Sequence, residues 1–190
     1  MRPRLWTGLW TSELRYTTVL EEGTLTEESH SLEVSCRIKA PAARIFGILS
    51  NPQRHMDFDG SNMLRGAESN RPISDVGDIF TMKMNRLGRD YVMVNHVVEF
   101  EPDRRIFWEP APGDVDTAGG EPAKVGIPAG YRWGYILTPD GVDATVVTEV
   151  FDYGPSSELL REDGQWINGT TPVLESMTAT LGRLEKISTE

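Results

Sequence analysis

The sequence predicts an α+β fold: a curved antiparallel sheet of about six to seven strands around a long C-terminal helix, with two short helices after the first strand. Three observations lead there. The run Thr171 to Ile187 (TPVLESMTATLGRLEKI) places Leu174, Met177, Leu181 and Leu184 at steps of three and four, the spacing of one apolar helical stripe. Most of the chain upstream instead alternates apolar and polar residues in short runs, as half-buried strands do. The joints between those runs are hairpin-length, which implies antiparallel pairing and helices segregated from the strands.

In chain order, residues 1–30 hold Trp6, Trp10 and Tyr16 among Glu21, Glu22, Glu27 and Glu28, and read as an extension that packs loosely, swaps onto a partner or is partly disordered. Ser31 to Lys39 alternates, with Leu32, Val34, Cys36 and Ile38 on one face, and predicts the first strand of a domain spanning 31–190. Pro41 to Leu49 has helical spacing and is stopped by Asn51-Pro52; a second short helix or turn covers Pro52 to Met56. Strands are predicted over Met63–Glu68, Gly77–Asn85, Asp90–Glu101, Arg105–Glu109, Tyr131–Leu137 and Ala144–Tyr153. Leu87-Gly88-Arg89, Glu101-Pro102-Asp103 and Pro139-Asp140-Gly141 supply the turns. Pro110 to Gly130 reads as a long loop, and Ser156 to Trp166 as a helical prelude. Thr171 is placed to cap the final helix, with Pro172 in its first turn.

Composition narrows the function. A formal net charge of −10 disfavours nucleic acid and anionic membrane as the main partner, and no Lys/Arg cluster is evident along the chain to offset it. The single cysteine, Cys36, allows no internal disulfide and no cysteine metal site, which suits a reducing, cytoplasmic setting. No apolar run reaches the length of a membrane span, so stable membrane insertion is not expected. No nucleophile elbow, phosphate loop, dinucleotide fingerprint or metalloprotease motif is present, and no cofactor is expected.

Three stretches carry a resemblance: SLEVSCRIKAPAARIFGILSNPQR, VVEFEPDRRIFWEPAP and RWGYILTPDGVDATVVTEVFDY. In this order they resemble the START-like helix-grip superfamily, in its polyketide cyclase/dehydrase and lipid-transport branch (SRPBCC). The resemblance covers about Ser31 to Ile187. It implies a cavity between sheet and long helix that holds an apolar small molecule, but no catalytic signature. Physics adds that an empty apolar void of about 300 Å³ would be destabilising by on the order of 7 kcal/mol, so such a cavity must be wet or filled.

Candidate lining residues are Phe80, Met82, Met84, Trp108, Trp133, Tyr135 and, on the helix, Met177. Methionine adapts to irregular ligands and Trp and Tyr offer apolar surface with a polar tip, although each would equally fill a core. His96 is assigned to the same inward face as Val92, Val94, Val98 and Phe100, with Asn95 and Glu99 pointing outward; a slip of one residue swaps these roles. His96 is a candidate acid or base or a satisfied core histidine. His55, Asp57 and Asp59 in RHMDFDGSN form a polar cluster near the expected mouth. The calcium-loop pattern fails there, leaving cap and turn duty or, for His55 and Asp57, a ligand-facing role. Glu109 is either an exposed strand-end acid or a buried one with raised pKa. The expected activity is binding of a lipid- or polyketide-like molecule, with a polyketide cyclase/aromatase or dehydratase as the alternative, in which His96, His55 or Asp57 would move protons. A third reading is a regulatory or interaction protein that uses the 1–30 arm, and the partners expected are the hydrophobic small molecule and a second copy of the chain in a homodimer.

Overall fold

The computed structural model describes residues 14–15, 31–113, 125–128, 130–153, 166–167 and 171–190. The rest of the 1–30 arm, most of the 110–130 loop and all but the last residue of the Ser156–Trp166 prelude lie outside these residues.

The strands are β1 (Leu14–Arg15), β2 (Ser31–Ile38), β3 (Leu64–Ala67), β4 (Ile79–Arg86), β5 (Arg89–Glu101), β6 (Arg105–Pro112), β7 (Arg132–Pro139) and β8 (Thr145–Asp152). They form one sheet in the order β1-β2-β8-β7-β6-β5-β4-β3, antiparallel at every step. The first long strand and the last are thus neighbours. A separate pair, β9 (Trp166–Ile167) with β10 (Thr171–Pro172), leads directly into α3 (Val173–Thr189). Thr171 and Pro172 therefore end a strand, and the helix begins at Val173 instead of being capped by Thr171.

The turns follow from residues that tolerate positive φ. Leu87 (φ 52°) and Gly88 (φ 83°) form the two-residue β4–β5 hairpin, and Asp103 (φ 62°) closes the three-residue β5–β6 hairpin. Strand β6 runs on to Pro112, past the loop boundary expected at Pro110.

Alternation fixes the sheet's two faces. The inner face presents Val34, Cys36, Ile38, Phe80, Met82, Ile106, Tyr135, Val147 and Phe151, all buried. Over it lie α1 (Ala42–Leu49), a 3-10 turn (Pro52–Arg54) and α2 (His55–Phe58). Helix α1 inserts Ile45, Phe46, Ile48 and Leu49, with Phe46 edge-on to Phe100 at 5.3 Å between ring centroids. Helix α3 packs mainly on β2 and α2. Its buried line is Val173, Ser176, Met177, Thr180, Leu181 and Leu184, whereas Leu174, expected in the stripe, is on the exposed side. The rotation has a local cause. Gly60 sits so close that a Cβ there would lie 2.0 Å from the Ser176 carbonyl oxygen, and its amide donates to Thr180 Oγ1 at 3.0 Å. Small and hydroxylic residues, not leucines, occupy that seam.

Candidate functional site

The site grows from the 3-10 turn with α2 and from four strands of the sheet. Asn51 caps the 3-10 turn by accepting from the Gln53 amide, and that turn delivers His55 and Phe58 onto the inner face. Strands β4 and β6 bring Phe80 and Trp108; β7 and β8 bring Tyr135 and Glu149, which are direct cross-strand partners. The rings form a continuous cage. His55 lies 5.4 to 5.6 Å from Phe58, Phe80 and Trp108, and Tyr135 lies 6.1 Å from Trp108 and 6.4 Å from Phe58.

Two titratable groups sit inside it. His55 Nε2 is 2.7 Å from the Leu49 carbonyl oxygen. A carbonyl only accepts, so Nε2 carries the proton and donates; Nδ1 is left with the lone pair in the neutral ring. Burial lowers the His55 pKa to about 4, against smaller raising effects of the Leu49 bond and of Asp59. Glu149 is 6% exposed, and burial holds its pKa well above the ordinary carboxylate range; Asp59 pushes the same way and the bond from Tyr135 opposes. The Tyr135 hydroxyl donates to Glu149 Oε1 at 3.2 Å, while Oε2 has no hydrogen-bond partner among the described residues. Burial thus disfavours the charged form of both groups, the imidazolium of His55 and the carboxylate of Glu149, an arrangement suited to hydrogen bonding an uncharged polar group or to passing a proton.

The sequence-predicted residues divide. Phe80, Trp108, Tyr135 and His55 come together in the cage; Met82 and Met177 are buried core, 3% and 1% exposed. Trp133 stacks on Phe151 at 4.2 Å, and Met84 is half-buried with Tyr91 opposite it. Asp57 faces solvent and pairs with Arg54, apart from the rings of the cage. Asp59 does turn duty, accepting from the Ser61 amide and hydroxyl and the Leu64 amide.

His96 is corrected. Phe80 pairs with Asn95, so Asn95 shares the inner face and His96 lies on the other side, with its Nε2 3.1 Å from the Gly126 carbonyl oxygen. The cause is a bulge between Val97 and Glu99. It leaves Phe100 inward, as expected, but reverses the parity of everything before it. Glu109 pairs with His96 on that same outer face and is a mid-strand residue, not a strand-end one. Asn95, buried and donating to the Phe80 carbonyl at 3.3 Å, and Glu149 were missed. Glu149 could have been found, since it stands in register with Thr145, Val147 and Phe151 in TVVTEVFD.

A separate cleft of about 440 Å³ is lined by Arg65, Lys83, Met84, Asp90, Tyr91 and Val92. Its lining residues come from β3, β4 and β5, which places it at that end of the sheet. Among the described residues no cluster of three or more His, Cys, Asp or Glu could hold a metal ion, and no helix is long and apolar enough to cross a membrane.

No protein-family profile matches the chain. Two curated relatives from Mycobacterium tuberculosis strains, the uncharacterized proteins Rv0088 and MT0096, are each 30% identical over 119 residues. That alignment covers 63% of this chain and 46% of each relative, so the chain spans about half the length of the curated relatives it matches. Among solved structures, protein Ms6760 from Mycobacterium smegmatis aligns with TM-score 0.61 at 16% identity, covering 93% of this chain and 96% of that one. Protein CV1439 from Chromobacterium violaceum aligns with TM-score 0.59 at 14% identity, covering 85% and 98%. These likenesses establish the fold, an antiparallel sheet with a C-terminal helix as in helix-grip proteins.

Proposed function

We propose that the chain is a binding module of the START-like (SRPBCC) type that holds an apolar or aromatic small molecule against the inner face of its sheet, with Glu149 and Tyr135 as the polar end of the site. One observation carries this reading: Glu149 Oε2 is buried beside Tyr135 with no hydrogen-bond partner among the described residues. A buried polar atom left unpaired is destabilising by about 1–3 kcal/mol, a penalty that a bound hydroxyl or carbonyl would relieve. The surrounding rings supply flat apolar walls for such a ligand. The lone buried Cys36 fits a cytoplasmic setting. Native mass spectrometry of gently purified protein tests the reading. A co-purifying small molecule is expected, and its occupancy should fall in Glu149→Leu. A bare protein that also fails to take up added 2-naphthol would overturn it.

A second reading is favoured by burial, which disfavours the charged forms of both His55 and Glu149. A polyketide cyclase/aromatase or dehydratase would use the neutral His55 Nδ1 as base and the Glu149 carboxyl as acid. It requires that turnover of a poly-β-ketone chain be lost in Glu149→Gln while binding of that chain persists.

A further inference from the structure

The β4–β5 hairpin tip breaks three local rules at once. Leu87 adopts φ 52°, at a turn position where Asn, Asp or Gly is favoured and a leucine is strained. It also holds its side chain 77% exposed. Arg86 and Arg89 stand directly opposite one another, a like-charge pair that weakens the hairpin. Nothing in the fold needs any of these, and residues that oppose folding without packing gain mark functional positions.

The tip is also where positive charge collects on a chain whose formal net charge is −10. Arg65 enters from β3 beside Lys83, since Leu64 pairs with Met84 and Gly66 with Lys83. Arg65, Lys83, Arg86 and Arg89 are all exposed. Two acids lie among them and keep their charge, Glu68 pairing with Lys83 at 3.5 Å and Asp90 accepting from the neutral Asn85 amide at 2.7 Å, so four cations against two acids leave the patch net positive. Arg65 does not appear as a cluster in the sequence because it comes from another strand. The 440 Å³ cleft, lined by Arg65, Lys83 and Tyr91, opens at this same end. Arg86 also acts electrostatically on Tyr91 and Tyr131.

We propose that the β4–β5 tip docks on an anionic lipid surface, with Leu87 inserted at the headgroup level and Arg65, Lys83, Arg86 and Arg89 lying against the lipid phosphates. An exposed apolar side chain flanked by Arg86 and Arg89, with Lys83 and Arg65 further down the strands, has the chemistry of peripheral membrane attachment, in which a little apolar burial combines with attraction to anionic lipid. It is reversible contact, not insertion of a spanning segment. It would set the cleft against the layer from which an apolar molecule could be taken or given up. The proposal stands apart from the identity of any bound ligand, because it is read with lipid alone.

The test is co-sedimentation of the full chain with vesicles of phosphatidylcholine, with and without 30% phosphatidylglycerol, at low and at 0.5 M salt. Binding is expected to anionic vesicles only, and to be lost at high salt. Arg86→Glu with Arg89→Glu should weaken it at least tenfold. Leu87→Asn, which suits the turn better, should weaken it several-fold while leaving the melting temperature unchanged or raised. Equal binding to both vesicle types, no binding to either, or binding indifferent to these substitutions overturns the proposal. So does a concentration-dependent change in sedimentation that the same substitutions abolish without vesicles, which would make the tip a contact between copies of this chain.

Discussion

Tyr135 and Glu149 are cross-strand neighbours on the inner face, joined by a single 3.2 Å hydrogen bond that satisfies one carboxylate oxygen and leaves the other bare. Because burial raises the folded-state pKa of Glu149, the native protein keeps its proton while the unfolded chain loses it above about pH 4.5. The native state is then the one that binds more protons, so this group's contribution is full below that pH and is lost as pH rises. Glu149→Gln should be more stable than the parent at pH 7 to 8, with the difference shrinking to the residual side-chain effect near pH 4. The limiting slope is about 1.4 kcal/mol per pH unit. Urea melts of both proteins across that range check it, and parallel curves would show that Glu149 ionises freely in the fold.

His55 acts with the opposite sign. Its folded pKa of about 4 lies below the ordinary 6.5, so the unfolded chain binds the extra proton between those values. Stability should fall as pH drops from about 6.5 to about 4, by up to roughly 3 kcal/mol from this group. His55→Phe keeps the ring and removes the titration. It should flatten the acid limb of the pH–stability curve, and an acid limb of unchanged steepness would place the histidine's proton elsewhere.

These two groups show which parts of the molecule the sequence discloses. The strand alternation of SLEVSCRI and the spacing of PAARIFGIL are each one face of one element, and local pattern fixes them. The inner-face rings Phe80, Trp108 and Tyr135 follow from the same alternation. His96 was misassigned because the bulge before Glu99 is a property of the β5–β6 pair, invisible within β5 alone. Counting back by twos from the inward Phe100 lands on the wrong face. Glu149 was passed over because a glutamate in an alternating strand reads as solvent-facing, although its own register with Val147 and Phe151 says otherwise. Leu174 misled for a third reason: the close approach of Gly60 turns α3 toward its small residues.

Two glycines near α3 should respond in opposite directions to alanine. At Gly60 a Cβ would meet the Ser176 carbonyl at 2.0 Å and the Thr180 amide at 2.5 Å, both helix backbone that cannot swing aside. Gly60→Ala should therefore destabilise by about 3 kcal/mol and loosen the turn that Arg183 holds through the Asp59 carbonyl and Asn62. Gly182 is exposed within α3 and a Cβ there meets nothing within 4 Å. Gly182→Ala should stabilise by roughly 0.5–1 kcal/mol through helix propensity alone. Denaturant midpoints for the pair decide the matter; a neutral Gly60→Ala would mean that the turn and helix do not touch.

Cys36 offers a probe of the seam between β2 and α3. Its side chain is in the core at 2% exposure, and burial, helped by Glu185, pushes its thiol pKa up to about 11. The thiolate is the reacting species, so native protein at pH 8 should resist a thiol reagent for as long as the seam stays closed. Labelling should then occur only through opening of the structure, and its rate should rise with urea in step with global unfolding. Gly60→Ala, by weakening the clamp on α3, should label faster at equal reagent, and Gly182→Ala slower. Rapid labelling of the unmutated protein without denaturant would show that β2 and α3 separate readily, and that this end of the sheet, not the β4–β5 end, is where the interior is reached.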